Sequence, residues 1–154
     1  MTLGLATDTL DLDGKILRQI ESDDVQEIRA ADLFNRMQGS RTQAVPAFSA
    51  KKTKGNKQYQ LARSGKPTEP GTKEVFISDF RMLRFVLPDI YFSMTCSKGT
   101  YVRAVSDEMG RELGCGAALS SLRRTRVGPF KLKDAINEAA VRFMSLQEIE
   151  RLLR

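Results

Sequence analysis

Tyr91-Phe92-Ser93-Met94-Thr95-Cys96 alternates outward and inward side chains, and the apolar period then changes. Val102, Val105, Met109 and Leu113 recur at spacings of three, four and four. A period of two belongs to a half-buried strand, and the longer one to a single face of a helix. Between them stands Ser97-Lys98-Gly99-Thr100, whose glycine can turn the chain. Such a chain has to lay a helix against a sheet. It also presents Tyr101 and Arg103 where the strand ends. Gly114-Cys115-Gly116 supplies the helix stop.

Other segments read in the same way. Leu3-Gly4-Leu5-Ala6 starts a strand, the Asp- and Thr-rich stretch closed by Gly14 makes a turn, and residues 15–20 return as a hairpin. The spacing predicts a helix over residues 30–38 with Leu33, Phe34 and Met37 on one side and Gly39 as its stop. Residues 45–50 read as extended, 54–56 as a turn, 59–62 as a helical turn or two and 67–71 as a loop. Residues 75–86 form a long strand, broken from the next by Pro88-Asp89, and residues 118–127 are extended as far as Gly128-Pro129. Ser145-x-x-Glu148 is a capping box that opens a last helix, with Leu146, Ile149, Leu152 and Leu153 inward. The class expected is α+β, a mixed and mainly antiparallel sheet with flanking helices.

At 154 residues the chain suits one domain with a real core. No apolar run approaches the roughly 18 residues needed to span a bilayer, so no membrane is expected. Asp8, Asp11 and Asp13 interrupt any signal-peptide pattern. Two cysteines and no histidine argue against a disulfide framework, a zinc site or a His-dependent triad. Asp11-x-Asp13-Gly14 lacks the glutamate that would complete a calcium loop. The three aspartates read as turn organisers on a solvated turn without an evident partner. No metal or cofactor is expected, and the compartment is the cytoplasm.

Charge is unevenly spread. Residues 1–32 hold eight acidic and three basic side chains, whereas residues 33–68 hold eight basic and none acidic. The basic block includes Arg36, Arg41, Lys52, Lys57, Arg63 and Lys66, interleaved with Phe48 and Tyr59. A one-sided field of this kind attracts a polyanion, and nucleic-acid phosphate is the usual one. On charge alone a merely solvated loop is an equal reading.

Four segments, taken together and in order, resemble the TruB/dyskerin family of pseudouridine synthases. They are Thr7-Asp8-Thr9-x-Asp11-x-Asp13-Gly14; Val45-Pro46-Ala47-Phe48-Ser49-Ala50-x-Lys52 with Gly55, Tyr59, Ala62, Arg63 and Gly65; Cys96-Ser97-Lys98-Gly99-Thr100-Tyr101-x-Arg103; and Leu113-Gly114-Cys115-Gly116-Ala117 with Leu122-Arg123-Arg124. The resemblance covers about residues 3–130. It implies isomerisation of uridine 55 in the T-loop of tRNA to pseudouridine, without cofactor or metal. The base is flipped into a pocket, at a cost of a few kcal/mol of unstacking.

The resemblance also implies roles. Arg103 would pair with the family's nucleophilic aspartate and keep it ionised. Tyr101 would border the flipped uracil, and Leu122 would form the apolar floor beneath it. Lys98 would meet phosphate near a helix N-terminus. Lys52, Lys57, Tyr59 and Arg63 would belong to an RNA-gripping insertion over about residues 43–70, with Arg123 and Arg124 adding to that surface.

The family's Gly-x-Leu-Asp-Pro segment, which carries the nucleophile, has no match here. Residues 1–154 therefore read as a single, partial catalytic domain without the C-terminal RNA-binding domain often appended in the family. It is expected to be inactive alone, with the T-arm of tRNA and the missing N-terminal part of the domain as its partners. A non-catalytic RNA-binding module is the alternative, and a basic domain with an unrelated protein partner a third.

Overall fold

A computed structural model describes residues 1–49 and 71–152 in full and, of the intervening stretch, the backbone of residues 52–53 and 56–57. Two compact units are resolved, Met1–Ser121 and Leu122–Arg154.

The first unit is built on a five-stranded antiparallel sheet. In chain order its elements are β1 (Thr2–Leu3), β2 (Leu5–Thr7), β3 (Ile16–Gln19), α1 (Glu27–Arg36), β4 (Gly39–Ala44), β5 (Lys52–Thr53), β6 (Asn56–Lys57), β7 (Thr72–Val86), β8 (Asp89–Cys96), α2 (Val102–Leu113) and β9 (Ala117–Ala118). The sheet runs β4-β7-β8-β1-β9, while β2-β3 and β5-β6 form separate hairpins. The α+β class and the mainly antiparallel sheet are as expected.

Burial follows the alternation read from the sequence. Ile77 and Phe80 of β7 and Ile90 of β8 face the core, where they meet Leu33 and Phe34 of α1 and Val105 and Met109 of α2, and Val75 of β7 is buried as well. Each such side chain contributes about 1.5–3 kcal/mol by leaving water. Phe34, Phe80 and Phe92 form a ring cluster at centroid distances of 4.4, 5.4 and 5.9 Å. Helix α1 packs on β7, α2 on β9, and the two helices touch.

Some boundaries differ from the sequence reading. Helix α1 starts at Glu27, three residues early, because Ala30 is already on its buried face and Glu27 suits the first turn. Gly39 does follow the helix end, with φ +97°, but it also begins β4, a strand that sequence periodicity does not announce. Residues 47–49 bend where extended chain was expected, and of residues 118–127 only Ala118 and the pair Arg126–Val127 are strand. The turn expected at 54–56, the helical turn at 59–62 and most of the loop at 67–71 lie outside the described residues.

The second unit contains a hairpin, β10 (Arg126–Val127) and β11 (Phe130–Lys131), turning at Gly128. Helices α3 (Glu138–Val141) and α4 (Leu146–Leu152) follow. The capping box forms as read: Glu148 accepts from the Ser145 N–H at 2.8 Å, and the Glu148 N–H donates to Ser145 Oγ at 3.3 Å. The apolar stripe behind it turns inward only in part. Ile149 is half-buried, Leu146 is 79% exposed and Leu152 is also exposed, and Leu153 lies outside the described residues.

Candidate active site

The site assembles around the start of α2. Strand β8 ends in a turn at residues 97–100, where Ser97 Oγ accepts from the Phe76 N–H and Thr100 Oγ1 donates to the Ser97 carbonyl, both at 2.9 Å. Lys73 Nζ donates to the Lys98 carbonyl at 2.9 Å, and Gly99 takes φ +82°, a conformation that favours glycine. Lys98 is exposed on this turn, and Gly99, Thr100 and Tyr101 separate it from the first helical residue, Val102.

Arg103 lies in the first turn of α2 and is part-buried. Its Nη1 donates to the Thr9 carbonyl at 2.8 Å and to Asp11 Oδ2 at 3.0 Å, and its Nη2 donates to the Phe48 carbonyl at 2.8 Å. One guanidinium thus ties together the acidic turn, the segment after β4 and the helix start. Its planar fork of five donors suits that task, which the single ammonium of lysine could not perform.

The acidic turn is itself ordered. Asp8 Oδ1 accepts from the Lys15 N–H at 2.8 Å, Thr7 Oγ1 donates to the Asp11 carbonyl at 2.7 Å, and Thr9 Oγ1 donates to Asp11 Oδ1 at 2.5 Å. A parallel bridge joins Asp11 to Leu119. This corrects the reading of a solvated turn without a partner. Asp8 does organise the turn, but Asp11 is ion-paired to Arg103, with only 22% of its side chain exposed.

Tyr101 precedes the helix as its N-cap residue, with extended backbone and no side-chain cap of its own. Gln43 of β4 reaches it from the sheet: Oε1 accepts from the Tyr101 N–H at 2.8 Å, and Nε2 donates to the Tyr101 carbonyl at 3.1 Å. Two residues earlier on the same strand face, Arg41 forms an ion pair with Glu108 of α2 and donates to the Met37 carbonyl at 3.0 Å. Neither Gln43 nor Asp11 stands out from sequence as a partner. Each lies dozens of positions from the group it meets, and the run Ser40-Arg41-Thr42-Gln43 carries no periodicity that marks one face of β4 as inward.

The structure therefore brings Tyr101 and Arg103 together on one helix start. Lys52 and Lys57 are cross-strand neighbours in the β5-β6 hairpin. Tyr59 and Arg63 lie outside the described residues. Leu122, 59% exposed, opens the second unit with Arg123 and Arg124, which are also exposed.

Known proteins give the family. Residues 1–102 match the family described as TruB family pseudouridylate synthase (N terminal domain), and residues 103–154 match the tRNA pseudouridylate synthase B C-terminal domain. The chain is 38% identical over 151 residues to the tRNA pseudouridine synthase B of Opitutus terrae, covering 98% of this chain and 63% of that protein. It is 37% identical over 153 residues to that of Syntrophotalea carbinolica, covering 99% and 50%. Against that of Chlamydia felis it is 43% identical over 136 residues, covering 88% and 57%. The chain thus spans about half to two-thirds of the length of these relatives. With two family matches that meet between Val102 and Arg103, inside the helix that carries the site, the chain belongs to the TruB family of pseudouridylate synthases.

Proposed function

We propose that this chain supplies the base pocket of a tRNA pseudouridine synthase acting on uridine 55 of the T-loop, and that the nucleophilic aspartate comes from a segment outside these residues. The single observation carrying the reading is the fixed presentation of Tyr101 and Arg103 at the start of α2. Among the described residues Arg103 makes three hydrogen bonds to protein acceptors, and a guanidinium has five donors. Such a fork can hold a further carboxylate in its ionised form. In that role Arg103 orients the aspartate that attacks the nucleotide. The glycosidic bond breaks, the uracil turns, and it is rejoined through carbon. Tyr101 borders the extruded base.

Lys98, Arg123 and Arg124, with Lys52, Lys57, Tyr59 and Arg63 of the basic segment, neutralise and stack on the T-arm. The two free thiols, Cys96 and Cys115, suit a reducing cytoplasm. One observation favours the alternative of a non-catalytic RNA-binding module: Asp11 already supplies Arg103 with a carboxylate.

The deciding experiment incubates the polypeptide with a T-arm stem-loop, alone and with a polypeptide carrying the Gly-x-Leu-Asp-Pro segment, and scores pseudouridine by a chemical label. Turnover only in the mixture is expected. Turnover by the chain alone overturns the placement of the nucleophile. Binding without turnover in either case favours the module, and no salt-sensitive binding removes the RNA reading altogether.

A further inference from the structure

Gln43 is only 3% exposed, although it lies in a strand with no apolar alternation. A buried side-chain amide is costly unless its donor and acceptor both find partners. Here both find the same residue. The acceptor takes the Tyr101 N–H, one of the groups that a helix start leaves without an internal partner, and the donor goes to the Tyr101 carbonyl. That carbonyl also accepts the first α-helical bond, from the Val105 N–H at 3.2 Å. The peptide groups on both sides of Tyr101 are thereby fixed, leaving its ring only side-chain rotations.

We propose that Gln43 is the positioning residue that aims Tyr101 into the base pocket. This rests on the reading of Tyr101 as the tyrosine bordering the flipped base. Two further contacts favour positioning over simple core satisfaction. Arg41, on the same face of β4, grips Glu108 two turns further along α2, so the strand splints the helix at two points. Chain continuing from β4 carries the Phe48 carbonyl that receives Arg103. A shift of β4 therefore moves the supports of Tyr101 and Arg103 together. Gln43 acts through Tyr101, whose backbone takes both of its hydrogen bonds.

The test uses the whole 154-residue chain and a T-arm stem-loop with 2-aminopurine replacing the target base, which brightens when it leaves the stack. Stem-loop affinity is read separately by anisotropy, and folding by circular dichroism. Gln43→Met keeps the length and removes both hydrogen bonds. Gln43→Glu keeps the acceptor for the Tyr101 N–H and, ionised, loses the donor. Affinity is expected to stay within about twofold, because phosphate contacts set it. Brightening should fall by about tenfold in Gln43→Met, as misplaced contact groups lose their effect steeply with distance. It should fall less in Gln43→Glu, which also decides the matter should Gln43→Met not fold. Brightening equal to wild type, or a parallel loss of affinity and brightening, overturns the positioning role. A wild-type chain that binds the stem-loop without brightening overturns the pocket reading itself, and the inference with it.

Discussion

Arg103 and Asp11 stand 92 positions apart in the chain and meet at 3.0 Å, with 24% and 22% of their side chains exposed. The pair is unequal. Asp11 is one of three acceptors for the guanidinium, whereas two carbonyls, of Thr9 and Phe48, depend on Arg103 as well. Truncating the arginine strands three acceptors; truncating the aspartate strands no backbone group that Arg103 serves. We expect Arg103→Ala to cost about 2–4 kcal/mol and Asp11→Ala about 1–2 kcal/mol. Urea unfolding of the two variants and the double variant measures this, and equal losses would contradict it.

Phe80 is 1% exposed and touches both Phe34 and Phe92. It joins α1, β7 and β8 at one point, so Phe80→Ala removes a ring and leaves a cavity that three elements cannot all close. A loss of about 3–5 kcal/mol is expected. A thermal midpoint near that of wild type would mean the cluster collapses to fill the gap.

Gly110 sits inside α2, where alanine would ordinarily improve helix propensity by up to about 1 kcal/mol. Here an added Cβ would lie 2.0 Å from the Ala117 nitrogen and 2.2 Å from the Gly116 carbonyl carbon, both backbone. Gly110 also receives the Gly116 N–H at 2.8 Å, so helix and strand cannot separate without losing that bond. Gly110→Ala should therefore destabilise by a net of about 1–3 kcal/mol, the reverse of the propensity effect. Chemical denaturation reads the sign directly.

Lys98 is exposed on the turn before α2. As a phosphate contact it should contribute one released counterion. Lys98→Ala is then expected to weaken stem-loop binding uniformly and to reduce the salt slope by about one. Titration at several salt concentrations checks this; an unchanged slope would place Lys98 away from the RNA.

Glu148 is held below the ordinary carboxyl range, first by the Ser145 backbone N–H and then by the Ser145 hydroxyl. A carboxyl lowered by folding contributes stability above its unfolded pKa and loses that contribution as pH falls through the folded value. The first turn of α4 should therefore fray on acidification. Ser145→Ala should fray it already at neutral pH and weaken the acid dependence. Residue-resolved chemical shifts followed through an acid titration test both statements.

Helix α2 and the β7-β8 pair were legible because their burial is carried by local periodicity: Val105, Met109 and Leu113 on one, Val75 and Ile77 on the other. Strand β4 was not, since Arg41 and Gln43 face inward and are held by Glu108 and Tyr101 rather than by apolar packing. Arg103 could be named as a site residue, but its partner could not. Nothing local marks Asp11 as part-buried; the bridge to Leu119 and the return of the chain to α2 make it so. Leu146 and Leu152 show the opposite failure: amphipathic spacing states which face would be buried, and not whether a surface is there to bury it.

Strand β1 is two residues long, yet it alone bridges β8 and β9, with Thr2 opposite both Asp89 and Ala118. Its neighbours are among the most remote segments of the chain, while β7 and β8 are joined by a tight connection. Closing such long loops delays a contact until local structure can reward it. The β7-β8 hairpin should hence be formed in the folding transition state and β1 should insert afterwards. Leu3 would then change the unfolding rate and Ile90 the folding rate, which stopped-flow measurements on truncating variants can separate.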